Sequence, residues 1–140
     1  MNLSLHTEEK NLKAVLQITG SKSESNRLLI LQALYPEISI ENLSNSDDSE
    51  VLKKALEKGN GIIDIHHAGT AMRFLTAYFA VKEGCEVELT GSKRMKERPV
   101  RLLVDALQRM GADITYKNET GYPPLLIKGK KLHASSVKLE

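Results

Sequence analysis

Three short segments of the chain hold the residue types that grip an anion. Gly20-Ser-Lys-Ser-Glu-Ser-Asn-Arg27 sets serines around Lys22 and closes on Arg27, directly ahead of the apolar run Leu28-Leu-Ile-Leu-Gln-Ala-Leu34. His67-Ala-Gly-Thr-Ala-Met-Arg73 repeats the construction ahead of a second apolar run, and Gly91-Ser-Lys-Arg-Met-Lys-Glu-Arg98 repeats it ahead of Pro99. A helix that starts at such a point presents free backbone N–H groups and the positive end of its dipole. Lys22, Arg27, Arg73 and Arg94 add full positive charges, and Ser23 and Thr70 add hydroxyl donors. Gly69 leaves backbone open to a ligand that a side chain would cover. Each segment alone also fits a plain helix start, with Ser23 or Ser25 as N-cap and the cations solvated. Three in one small chain argue for a shared pocket that takes a multiply charged small molecule.

Other candidate chemistry is weaker. His66-His67 has no acidic or sulfur partner at helical spacing, so no metal site is expected; His67 is better placed to donate to a ligand. Glu97 can hold a neighbouring guanidinium in place, with Arg98 as a further anion contact. The basic run 93–98 has no interleaved aromatic residue, which argues against a nucleic-acid surface. The single cysteine, Cys85, excludes an internal disulfide and sits in an apolar stretch, where it reads as a small core residue. The P-loop, the dinucleotide fingerprint and the nucleophile elbow are all missing.

The elements that must position these segments follow from the pattern. The 140 residues are enough for one core, and a formal charge of +2 excludes a global basic field, so positive character must be local. Strands are expected at Asn2–His6, Lys13–Ile18, Ile38–Asn42, Gly61–His66 and Cys85–Thr90. Helices are expected at 24–34, buried on nearly all sides, from about 44 to Gly59, and at 67–81. A further helix begins near Pro99 and stops at Gly111, followed by a hairpin of Asp113–Lys117 and Leu125–Lys128. Val137–Glu140 could open another strand. Strand, loop and helix thus recur about four times, an α/β pattern. No apolar run reaches membrane-spanning length and no signal peptide is present, so a cytoplasmic location is expected.

Taken together and in this order, the three segments resemble the 5-enolpyruvylshikimate-3-phosphate synthase family. The matching stretches are Gly20–Arg27, Ala68-Gly-Thr-Ala-Met-Arg73 and Arg94-Met-Lys-Glu-Arg-Pro99, with Ser46-Asp-Asp48 and Tyr122-Pro-Pro124 in support. The resemblance implies transfer of the enolpyruvyl group of phosphoenolpyruvate to shikimate 3-phosphate, with release of phosphate and without a metal or organic cofactor. It implies that Lys22 touches both substrates and that Ser23 and Arg27 hold shikimate 3-phosphate. Gly69 and Arg94 would hold phosphoenolpyruvate, with Thr70 and Arg73 supporting that loop. The implied fold is an α/β (α+β) arrangement of repeated βαβαββ units in two domains, about two units being present here.

On that reading, residues 1–20 belong partly to the other domain and 21–140 form part of a substrate-binding domain. The second domain, with the general acid/base groups, lies outside this chain, and the chain alone is expected to be inactive. The family commonly has Asn where His67 stands and Pro where Phe74 stands, two positions flanking the phosphoenolpyruvate loop. The link from Asp48 to His66 is shorter than in better-known members. The UDP-N-acetylglucosamine enolpyruvyl transferases share the chemistry, but they usually have Asn after the first lysine and a cysteine in the third loop. Here Ser23 follows Lys22 and 91–98 has no cysteine. A non-catalytic phosphate- or nucleic-acid-binding module is the remaining alternative.

Overall fold

A computed structural model describes residues 2–6 and 13–133. Helix α1 runs Lys22–Leu34 and α2 runs Asp47–Lys58. Strand β1 (Gly61–Asp64), helix α3 (Gly69–Val81) and strand β2 (Glu86–Thr90) follow. A single turn, α4 (Lys93–Lys96), then leads to α5 (Arg101–Arg109) and the strands β3 (Asp113–Tyr116) and β4 (Leu125–Lys128). The four strands lie in the order β1-β2-β4-β3, with β1 and β2 parallel and the other two pairs antiparallel. Read along the chain, β1-α3-β2-α5-β3-β4 is one complete βαβαββ unit, preceded by the pair α1 and α2.

The register explains why the sheet takes helices on one face. Ile63, Leu89, Leu125 and Tyr116 form one row across the strands, and Gly61, Val87, Ile127 and Ile114 another. Their apolar members are buried or half-buried and point to the helices. The row between them, Ile62, Glu88, Leu126 and Thr115, points the other way. There Ile62 is exposed, and Lys117 Nζ pairs with Glu88 Oε2 at 2.6 Å.

Helix α3 is the centre of the molecule. Met72, Leu75 and Phe79 are fully buried against α1, α2, α5 and the sheet, as an almost entirely apolar helix requires. Burying each such side chain contributes about 1.5–3 kcal/mol. Helix α2 shows the polar-to-apolar grading of a surface helix. Asp47, Asp48 and Glu50 favour its positive end, Lys58 its negative end, and Gly59 stops it in the left-handed conformation at φ 66°. Cys85 is a buried core residue whose Sγ donates to the Phe79 carbonyl at 3.4 Å.

Several expectations are corrected. Residues 2–6, 13–18 and 38–42 form no strand, because nothing among the described residues offers them a ladder partner. Val15, Leu16 and Ile18 are therefore exposed, and at 42 the chain turns through a left-handed Asn42 whose carbonyl accepts from Gly20 N–H at 3.0 Å. Two of the four anticipated strand–loop–helix passages are thus formed, β1 to α3 and β2 to the α4–α5 region. Helix α1 is not buried all round: Leu31 and Leu34 are 43% and 48% exposed. Strand β1 stops at Asp64 because His66 adopts φ 48° to turn the chain into α3. The segment 91–98, expected as loop, contains α4, and Pro99 precedes α5 rather than opening it. Val137–Glu140 lie outside the described residues.

Candidate functional site

The first turns of α1 and α3 meet on one side of the molecule, and the α4 segment closes a third side. Lys22, Ser23, Asn26 and Arg27 from α1 and Gly69, Thr70, Arg73 and Phe74 from α3 line one cavity of about 400 Å³, with Arg98 at its edge. Arg98 also lines an adjoining cavity of about 420 Å³, together with His67, Arg94 and Met95. The two cavities thus adjoin at Arg98, as two halves of one cleft. It collects five cations, Lys22, Arg27, Arg73, Arg94 and Arg98, in a chain whose net charge is only +2. Neither Ser21, the N-cap of α1, nor Ala68, the N-cap of α3, closes its helix with a side-chain hydrogen bond. The first-turn N–H groups of both helices have no side-chain acceptor among the described residues.

The cations are held in different ways. Arg27 donates from Nη1 to the Ser23 carbonyl at 2.7 Å and the Ser23 Oγ at 2.6 Å, and its guanidinium lies 5.7 Å from the centre of the Phe74 ring. One helical turn thus ties Ser23 to Arg27, and Phe74 supports the charge from α3. Arg73 bridges backbone, donating to the Gly69 carbonyl at 3.1 Å and the Pro99 carbonyl at 3.3 Å. It braces the start of α3 against the entry to α5. Lys22 Nζ lies 3.5 Å from Asp48 Oδ2 at the start of α2. Arg98 packs over Gly69, where an added Cβ would collide with the guanidinium. Gly69 is therefore needed for the close approach of Arg98, which helps to bury it, and its backbone is less open than the sequence pattern suggested.

Of the residues singled out from sequence, Lys22, Ser23, Arg27, Gly69, Thr70, Arg73, Arg94, His67 and Arg98 all line the cleft. Glu97 does not. It is exposed and forms no ion pair among the described residues, because α4 is a single turn and backbone carbonyls hold Arg73 instead. His66 is tied to Asp64: its backbone N–H donates to Asp64 Oδ1 at 2.8 Å, and its Nδ1 lies 3.8 Å from the same oxygen. No group of three or more metal-ligating side chains exists among the described residues.

Sequence reasoning missed three contributors. Asn26 is fully buried beneath the cleft, where its Oδ1 accepts from Ser49 Oγ at 2.8 Å. Its Nδ2 has no partner among the described residues. Asp48 orients Lys22, and Ser92 contacts His67, Nδ1 to Oγ at 2.8 Å. Asn26 and Ser92 lie inside segments flagged for their cations, and only their depth in the fold distinguishes them. Ser25, read as a candidate N-cap, instead accepts the buried Ser44 N–H at 2.9 Å and locks α1 to the entry of α2.

The described residues thus form a βαβαββ domain with two open helix starts and an arginine-bearing turn on one cationic cleft. The model of the family described as EPSP synthase (3-phosphoshikimate 1-carboxyvinyltransferase) matches residues 50–140. The chain belongs to the EPSP synthase family. A 3-phosphoshikimate 1-carboxyvinyltransferase of Bacteroides fragilis is 48% identical over 130 residues, covering 92% of this chain and 32% of that protein. The enzyme of Actinobacillus succinogenes is 38% identical over 161 residues, covering 92% of this chain and 37% of its own length. The chain therefore spans about a third of the length of the curated relatives it matches. Among solved structures, an EPSP synthase from Acinetobacter baumannii superimposes with a TM-score of 0.70 at 18% identity, over 88% of this chain and 33% of that one. At that identity the likeness speaks for the fold alone. No helix among the described residues is long and apolar enough to cross a membrane.

Proposed function

We propose that this chain forms the cationic part of the substrate cleft of an enzyme that transfers the enolpyruvyl group of phosphoenolpyruvate to shikimate 3-phosphate. The observation that carries this is the convergence of five cations and two uncapped helix starts on one cleft. Two polyanions must be brought together against their mutual repulsion, and fixed cations lower that cost before any bond changes. Ser23 and Arg27, tied to each other, hold shikimate 3-phosphate. Arg94 and the turn at Gly69 hold phosphoenolpyruvate, and Lys22 touches both substrates. Arg73 and Thr70 keep the Gly69 turn in place.

The reaction also needs one group to protonate the methylene carbon of phosphoenolpyruvate and one to take the proton of the attacking hydroxyl. The described cleft offers cations, hydroxyls and an imidazole, and its nearest carboxylate, Asp48, is engaged with Lys22. We therefore assign proton transfer to the remainder of the enzyme, and this chain alone binds weakly without turnover. The whole enzyme acts as a cytoplasmic monomer, without cofactor, membrane or nucleic acid.

Titration of shikimate 3-phosphate into the 140-residue chain, followed by backbone amide NMR, tests the reading, with inorganic phosphate and UDP-N-acetylglucosamine as controls. Selective shifts at Ser23–Arg27 and Gly69–Arg73 are expected at millimolar ligand. Equal responses to all three compounds would refute the substrate assignment.

A further inference from the structure

Ser92 is not one of the cleft's cations, yet it contacts the one imidazole that lines the cleft among the described residues. Its Oγ accepts the backbone N–H of Met95 at 3.2 Å, capping α4, and lies 2.8 Å from His67 Nδ1. Its own backbone N–H donates to the His66 carbonyl at 3.1 Å, so the serine is pinned to the turn that presents the imidazole. With one Oγ lone pair taken by the Met95 N–H, the hydroxyl hydrogen is free to be donated, and Nδ1 is the acceptor within reach among the described residues. A neutral imidazole that accepts at Nδ1 must have its proton on Nε2.

The surroundings of the ring favour the same form. The His67 ring lines the cavity with Arg94 and Arg98, and neither guanidinium donates to it among the described residues. His67 also borders a depression lined by Asp47, Asp48 and Glu50, which are acceptors, and by Lys54, which is a donor. An anion in the cleft requires a donor from the remaining nitrogen. Resting on the reading of the cleft as an anion site, we infer that Ser92 is a positioning residue. It fixes His67 as the Nε2–H tautomer, so that the imidazole donates to the anion held by Arg94 and Arg98. The anion is then gripped by two charged forks and one neutral donor of set direction. That arrangement suits a phosphate or carboxylate with oxygens pointing three ways.

Long-range proton–nitrogen NMR on the nitrogen-15-labelled chain reads the tautomer directly. Spectra are recorded at about pH 9, where histidines are neutral, free and with inorganic phosphate. The expected result is Nε2–H in both conditions, with phosphate shifting the His67 ring together with the Arg94 and Arg98 side chains. Ser92→Ala should yield a mixture of tautomers and bind phosphate about three-fold more weakly, the scale of one neutral hydrogen bond. Ser92→Thr keeps the hydroxyl and should restore both. An Nδ1–H ring in the wild type, or a tautomer unmoved in a folded Ser92→Ala chain, would overturn the positioning role. An Nε2–H ring with no phosphate response at Arg94 or Arg98 would instead overturn the anion site itself, and with it the use of the donor.

Discussion

Replacing Gly69 by alanine separates the fold from the site. The atoms nearest a methyl group at this position are Nη1, Cζ and Nη2 of Arg98. Those atoms end a long, exposed side chain, so they can swing aside at about 0.5–1.5 kcal/mol for an off-rotamer adjustment. Against this, alanine at the start of α3 returns part of the roughly 1 kcal/mol that glycine costs a helix. Net stability should therefore change by less than about 1 kcal/mol in urea unfolding. The cleft loses more, because the displaced guanidinium no longer sits where the two cavities join. One exposed charge-assisted contact is worth about 1 kcal/mol, or about five-fold in affinity. Phosphate titration followed at the Arg98 side chain and the amides of 69–73 reads that loss. Gly91→Ala is the counterpart. There a Cβ would lie 2.7 Å from the His66 carbonyl oxygen and 2.8 Å from Cγ of Met95, which is buried. That substitution should cost about 2 kcal/mol or more. Unchanged phosphate affinity in a folded Gly69→Ala chain, or equal destabilisation by the two substitutions, would refute the reasoning.

Three further outcomes follow from buried polar groups and from the uneven packing of the helices. Ser25→Ala leaves the buried Ser44 N–H without its acceptor and should cost about 1–3 kcal/mol in urea unfolding, although no contact to the cleft is lost. Burial and, secondarily, Asp105 raise the pKa of Tyr116 above 10.0, with Arg101 opposing, and its hydroxyl has no partner among the described residues. The stability contributed by the neutral form is fully present below pH 10.0 and is lost as pH rises through the raised folded value. Tyr116→Phe should thus stabilise the chain by about 1 kcal/mol at neutral pH and flatten the alkaline decline in its melting temperature. Phe79→Ala should cost about 3–5 kcal/mol, whereas Leu34→Ser should cost less than about 1, because Phe79 is fully buried and Leu34 is half exposed.

Most of the cleft's lining was legible in the linear chain because the proposed anion binding draws on few residue types. Small residues, hydroxyls and Arg or Lys at a strand-to-helix turn are recognisable locally, and nine of the ten residues singled out line the cleft. Helices α2 and α3, the stops at Gly59 and Gly111 and the β3–β4 hairpin were equally legible, since capping, periodicity and turn chemistry act over a few residues.

Only the tertiary structure decided the rest. A strand exists only where another strand completes its ladder, so the strand-like 13–18 and the alternating 38–42 find no partner among the described residues. Likewise, an apolar helix is buried only as far as its neighbours reach, which leaves one side of α1 open. The partners of the cleft residues, Asp48 for Lys22, the Pro99 carbonyl for Arg73 and Ser92 for His67, stand about 25 positions away along the chain. Local sequence supplied the charges and hydroxyls; packing of α1, α3 and α4 around a shared core set which way each one points.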